Sequence, residues 1–109
     1  SPDRERLKEV LQEISVRISE NISVADMAEF CGWSSSHFMR WFKKMTGDSF
    51  ASYVNDKRLT GAAEALRRTD DKILTVSQDV GFSNLSNFNR QFKKRYGVTP
   101  REYRKMIGI

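Results

Sequence analysis

Residues 36–47 read SHFMRWFKKMTG and residues 86–97 read SNFNRQFKKRYG, an offset of 50 with identities at seven of twelve positions. The shared residues are Ser36/Ser86, Phe38/Phe88, Arg40/Arg90, Phe42/Phe92, Lys43/Lys93, Lys44/Lys94 and Gly47/Gly97, and Tyr53/Tyr103 continues the match. Upstream, Gly32/Gly81 and Ser34/Ser83 match at an offset of 49, which places one extra residue between Ser83 and Ser86. Trp33 and Phe82 then follow the two glycines as equivalent aromatics. Chance does not produce identities at this density, so the chain holds one structural unit twice: a short helix, a glycine turn and a longer helix.

Working outward from the repeat, every segment reads as helix. Leu7, Val10, Leu11, Ile14 and Ile18 recur at three- and four-residue steps, one apolar face of an opening helix. Ser23 with Asp26 starts a short second helix carrying Met27, Ala28 and Cys31 inward, and Gly32 stops it. Ser34 caps a third helix to about Met45, ended by Gly47. Ser49 caps a longer fourth to about Arg68, with Phe50, Tyr53, Val54, Leu59, Ala62, Ala63 and Leu66 on its apolar side. A polar loop, Thr69 to Lys72, precedes a fifth short helix opened by Thr75 with Gln78 and stopped by Gly81. Ser83 is expected to cap the sixth, which runs to about Tyr96. Thr99, Pro100 and Glu102 form a capping box with Pro at the first helical position of a seventh. No alternating run is long enough for a strand. The expectation is an all-α domain of about seven helices, divided into 5–48, a connector at 49–68, and 69–109.

Each longer helix has two faces. Phe38, Trp41, Phe42 and Met45 share one side of the third, and Phe88, Phe92 and Tyr96 one side of the sixth. The opposite sides carry Ser36, Met39, Arg40 and Lys43, then Ser86, Asn89, Arg90 and Lys93. Two helices joined by a short glycine-containing turn make a helix-turn-helix, whose second helix enters the DNA major groove. The exposed order suits that entry, because small residues permit close approach and helix-terminal N–H groups favour phosphate. Arg can donate two hydrogen bonds to guanine O6 and N7, and Asn can pair with adenine N6 and N7. Lys43, Lys44, Lys93, Lys94 and Arg95, with Arg101 on the last helix, suit phosphate contact, which adds affinity but little sequence information. Met39 fits either a thymine methyl or space-filling beside the interface. Leu85 lies near the edge of the apolar face and is expected to pack there, Asn89 is expected to be exposed, and His37 flanks the stripe in a capping or surface role.

Charge agrees. Of 109 residues, 19 are Lys or Arg and 14 Asp or Glu, a net +5. Residues 1–30 hold four basic and seven acidic residues, whereas 31–109 hold 15 basic and seven acidic, so the repeat region is the cationic part. One cysteine, Cys31, excludes an internal disulfide, and with one histidine, His37, it falls short of a structural zinc site. There is no Cys–His pair at a supportable spacing, no phosphate-cradling glycine loop and no metal cluster, so no cofactor and no enzymatic activity are expected. No apolar run approaches the roughly 18 residues of a membrane span and no signal peptide is visible, which reads as cytoplasmic. The start at Ser1 without Met suggests an excised piece. The fourth helix, 19 residues at ~1.5 Å each, spans about 28 Å, against about 34 Å between successive major-groove segments on one face of B-DNA. One chain could therefore read two segments of one site.

The stretch GFSNLSNFNRQFKKRYGVTPREYR resembles the signature of the AraC/XylS family of bacterial transcription regulators, through Gly81, Phe82, Ser86, Phe88, Arg90, Phe92, Lys93, Gly97, Thr99, Pro100, Tyr103 and Arg104. Ala28, Phe38, Arg40, Phe42, Lys43, Gly47, Tyr53, Arg58, Leu59 and Leu66 extend the likeness over about residues 5–107. The resemblance implies seven helices with two helix-turn-helix subdomains joined by a long helix. It places base-reading on Ser35, Ser36, Met39, Arg40, Leu85, Ser86, Asn89 and Arg90. It also implies an activator that contacts RNA polymerase, with an effector or receiver domain N-terminal to this region. Val76-Ser77, where Ile-Ala is frequent, and the small or apolar Ser36 and Leu85 depart from the common pattern. The alternative reading is a basic helical module gripping an acidic protein, which explains the charge but not the recurrence of Arg and Lys after each turn.

Overall fold

A computed structural model describes residues 1–107. It has α1 (Pro2–Val16), α2 (Val24–Cys31), α3 (Ser35–Thr46), α4 (Phe50–Arg68), α5 (Ile73–Asp79), α6 (Leu85–Tyr96) and α7 (Pro100–Met106), with no strand among the described residues. Two compact units meet inside α4, the first ending at Asn55 and the second starting at Asp56.

The first core gathers Val10 and Ile14 of α1, Met27, Ala28 and Cys31 of α2, Phe38 and Phe42 of α3, and Phe50 and Val54 of α4. The second gathers Leu59, Ala62, Ala63 and Leu66 of α4, Val76 of α5, Phe82 of the turn, and Phe88 and Phe92 of α6. Val10/Leu59 and Ile14/Ala63 correspond at the offset of 49, so the later part of α4 is to the second unit what α1 is to the first. Ser49 and Thr99 correspond at the offset of 50, and each caps a helix: Ser49 Oγ accepts from Ser52 N at 3.2 Å, Thr99 Oγ1 from Glu102 N at 3.1 Å. The start of α4 is thus the counterpart of α7. One helix serves as the last element of one unit and the first of the next.

The turns repeat as closely. Gly32 and Gly81 take φ of 76° and 106°, a region that L side chains avoid. The following N–H bonds the carbonyl five residues back, Trp33 to Ala28 at 2.8 Å and Phe82 to Ser77 at 2.9 Å. This closes each short helix and reverses the chain. Ser77, buried where the first unit has Ala28, donates its hydroxyl to Leu74 O at 2.7 Å, which satisfies a polar group inside an apolar core.

Three local expectations differ from what is observed. α5 begins at Ile73 with Lys72 as its N-cap and no side-chain cap bond, so Thr75 lies within the helix. Ile73, Val76 and Val80 fall at i, i+3 and i+7 and pack on the second core, and that burial sets the start without a capping side chain. α6 is capped by Asn84, not Ser83: its Oδ1 accepts from Asn87 N at 2.8 Å. The extra residue of the second unit therefore lies in the turn ahead of the cap, and α3 and α6 start at matching positions. α1 stops at Val16, so Ile18 packs on the first core from outside the helix.

Candidate nucleic-acid interface

α3 and α6 are each fixed by an inward aromatic ladder. Phe42 meets Tyr53 edge-on at 5.3 Å and Phe38 at 5.6 Å. Phe92 meets Tyr103 edge-on at 5.4 Å and Phe88 at 5.8 Å. Phe38, Phe42, Phe88 and Phe92 are fully buried, so neither helix can rotate about its axis without exposing two rings. The opposite sides are thereby held outward. Gly47 and Gly97, at φ of 79° and 80°, end both helices with their N–H on the carbonyls of Lys43 and Lys93.

On α3, Ser35, Ser36, Met39, Arg40, Lys43 and Lys44 are all exposed, Met39 to 47%. On α6, Leu85, Ser86, Arg90, Lys93 and Lys94 are exposed. Leu85 is 38% exposed at the first helical position, outside the second core, so the edge-of-face packing open to it in the sequence is not what is observed. Asn89 is half-buried, where the sequence led us to expect exposure. Arg95 stands apart from the set. It pairs with Asp56 of α4 at 3.5 Å and lies 5.5 Å from the Tyr96 ring centre. Arg95 is also exposed, but three residues after Phe92 and seven after Phe88 it lies on the flank nearer the aromatic ladder, a placement the helical period already carries. Arg101 is exposed on the first turn of α7.

Three placements were not anticipated. Asn87 Oδ1 accepts from Arg90 Nη2 at 2.9 Å, an i,i+3 pair visible in the spacing. Arg104 donates to the carbonyls of Leu66 at 3.3 Å, Asp71 at 2.6 Å and Thr69 at 3.1 Å, tying off the C-terminus of α4 and the loop after it. Trp41 Nε1 donates to Asp3 Oδ1 at 3.2 Å, and Arg6 lies 5.7 Å from the Trp33 ring centre, fastening α1 to the turn and to α3. Nothing local in the sequence links residues so far apart.

Two outward, cationic helix faces, each the second helix of a helix-turn-helix, define the class: a tandem DNA-binding domain. A family model for a helix-turn-helix domain matches residues 27–106. The chain is 33% identical over 107 residues to the regulatory protein PocR of Salmonella typhimurium, covering 98% of this chain and 35% of PocR. Its fold is similar, at 28% identity and a TM-score of 0.86, to a transcriptional regulator with an AraC-type DNA-binding domain from Chromobacterium violaceum, over 96% of this chain and 94% of that one. It also shares the fold of the DNA-binding domain of AdpA, a global transcriptional factor solved with a target DNA, at 24% identity and a TM-score of 0.88 over 92% and 90% of the two chains. The chain belongs to the AraC-type helix-turn-helix family of transcription regulators. It spans about a third of the length of PocR. That family is not a class of enzymes, and among the described residues no helix is long and apolar enough to cross a membrane.

Proposed function

We propose that this domain binds a double-stranded operator through both units, with α3 and α6 in two successive major-groove segments of one site. The observation that carries the reading is the recurrence, on the exposed side of each second helix, of Ser, Arg and paired Lys at matching positions above a buried aromatic ladder. Ser35, Ser36, Met39 and Arg40, then Leu85, Ser86, Asn89 and Arg90, face base edges. Lys43, Lys44, Lys93, Lys94 and Arg101 take phosphates, and Arg95 joins them where it leaves Asp56. The AdpA domain, of the same fold and solved with a target DNA, supports DNA as the partner. The division into two reading subdomains, 5–48 and 69–109, around a connector at 49–68 belongs to the same proposal.

The whole protein is cytoplasmic on this reading and acts as an activator in contact with RNA polymerase. An effector or receiver domain lies N-terminal to this one, consistent with the share of PocR that the chain spans. The test is titration of duplex DNA at rising salt. Neutralising several phosphates makes affinity fall steeply, by orders of magnitude between about 50 and 200 mM for six to ten contacts. Duplex affinity unchanged over that range would favour an acidic protein as the partner.

A further inference from the structure

The two recognition helices differ at the residue three positions before the arginine. In α6 this is Asn87, half-buried, its own N–H held by the Asn84 cap and its Oδ1 accepting from Arg90 Nη2 at 2.9 Å. In α3 it is His37, whose ring lies 4.4 Å from that of Trp33, while Arg40 makes no hydrogen bond or ion pair with the described residues. We propose that Asn87 is a specificity-determining positioning residue: it holds the Arg90 guanidinium in one orientation before DNA arrives, so α6 discriminates bases more sharply than α3. This rests on the reading that Arg90 meets a base edge.

A guanidinium carries five N–H donors in a rigid planar fork. One acceptor at Nη2 uses a single donor and leaves a pair of adjacent donors for guanine O6 and N7. An arginine free in water can settle on a phosphate or a neighbouring base with similar ease, whereas a tethered one reaches one place. Immobilising a single flexible side chain on binding is worth about three- to tenfold in affinity, and pre-ordering removes that loss for the correct base alone. The Asn87 carboxamide has its acceptor engaged by Arg90 and is poorly placed for two-point pairing with adenine, which marks it as a positioner and not a reader.

The experiment selects duplexes from a randomised pool with the unaltered chain, then titrates the best duplex and its single-base variants with Asn87→Ala, Asn87→Asp, Arg90→Ala and Arg40→Ala. The base pair whose preference Arg90→Ala abolishes should lose about three- to tenfold of its discrimination in Asn87→Ala. The pair governed by Arg40 should be unchanged. Asn87→Asp, which keeps an acceptor for Arg90, should retain the preference while binding all duplexes more weakly, because a carboxylate then faces phosphates. In an Arg90→Ala background, Asn87→Ala should change nothing further at that pair. Equal melting temperatures for the variants and the parent separate these effects from misfolding. Full discrimination in Asn87→Ala, or an equal loss at the Arg40 pair, overturns the proposal while leaving base reading intact. An Arg90→Ala chain that keeps every base preference instead overturns the base-reading assignment, and this inference with it.

Discussion

The aromatic pair at the heart of the first unit, Phe42 with Tyr53 at 5.3 Å and 80°, is repeated in the second as Phe92 with Tyr103 at 5.4 Å and 75°. Around this shared centre the units diverge. The first surrounds its turn with rings: Trp33 contacts His37 at 4.4 Å and Trp41 at 4.9 Å, and Arg6 and Asp3 of α1 hold the two tryptophans. The second has Phe82 at the turn, in the core against Phe88 at 5.1 Å, and fastens its last helix by the Arg104 bonds to three carbonyls. Arg104 corresponds at the offset of 50 to Val54, a buried residue of the first core. One contact is charged and local to the end of α4, the other apolar. What the repeat keeps is the inward ladder that aims the reading helix. What it varies is how neighbouring elements are attached, and how freely the outward arginine moves.

The largest effect should come from emptying either ladder. Phe42→Ala and Phe92→Ala should each cost about 3–5 kcal/mol, the usual loss for a fully buried aromatic. Both tryptophans, Trp33 and Trp41, lie in the first unit, so their fluorescence reports that unit while circular dichroism reports both. In urea, Phe42→Ala should move the fluorescence transition. Phe92→Ala should move the dichroism transition further than the fluorescence one. Coincident shifts in both signals for Phe92→Ala would show that the cores unfold as one body and would break the distinction between them.

A smaller effect separates the units by their capping boxes. Backbone and side-chain hydrogen bonds from Ser23 hold the Asp26 carboxyl below its ordinary value, and those from Thr99 do the same for Glu102. A depressed folded-state value means stability that is present above the unfolded value and lost as pH falls through the folded one. Both helix starts should therefore loosen only below the ordinary carboxylate range, near 3.8 for Asp26 and 4.5 for Glu102. Asp26→Asn should flatten the acid-side slope of the fluorescence-detected transition, and Glu102→Gln should flatten only the dichroism-detected one. Unaltered slopes in both variants would remove the capping carboxylates from the acid response.

Much of the fold and of the site is legible in the sequence because the decisive signals are local. Helical period separates Phe38 and Phe42 from Arg40 and Lys43, and glycines at fixed offsets mark both turns. The cap of α6 lies one residue from the expected place because Ser83 and Asn84 both suit the role, and only the backbone decides between neighbours. The start of α5 escapes a reading by caps because burial of Ile73 sets it. Asn89 is half-buried because it lies between the ladder and the exposed stripe, where helical period does not separate inside from outside. The Trp41–Asp3 and Arg104–Leu66 bonds, 38 residues apart in each case, are products of packing.

The proposition beneath all of this is that each unit reads its own stretch of one duplex, and hydroxyl-radical footprints of the unaltered chain, Arg40→Ala and Arg90→Ala address it directly. Two protected patches about one helical turn, ~10 base pairs, apart are expected, each variant fading one patch at a cost of about 1–3 kcal/mol in binding. A single patch of about 10 base pairs at saturation, weakened alike by both variants, would contradict it.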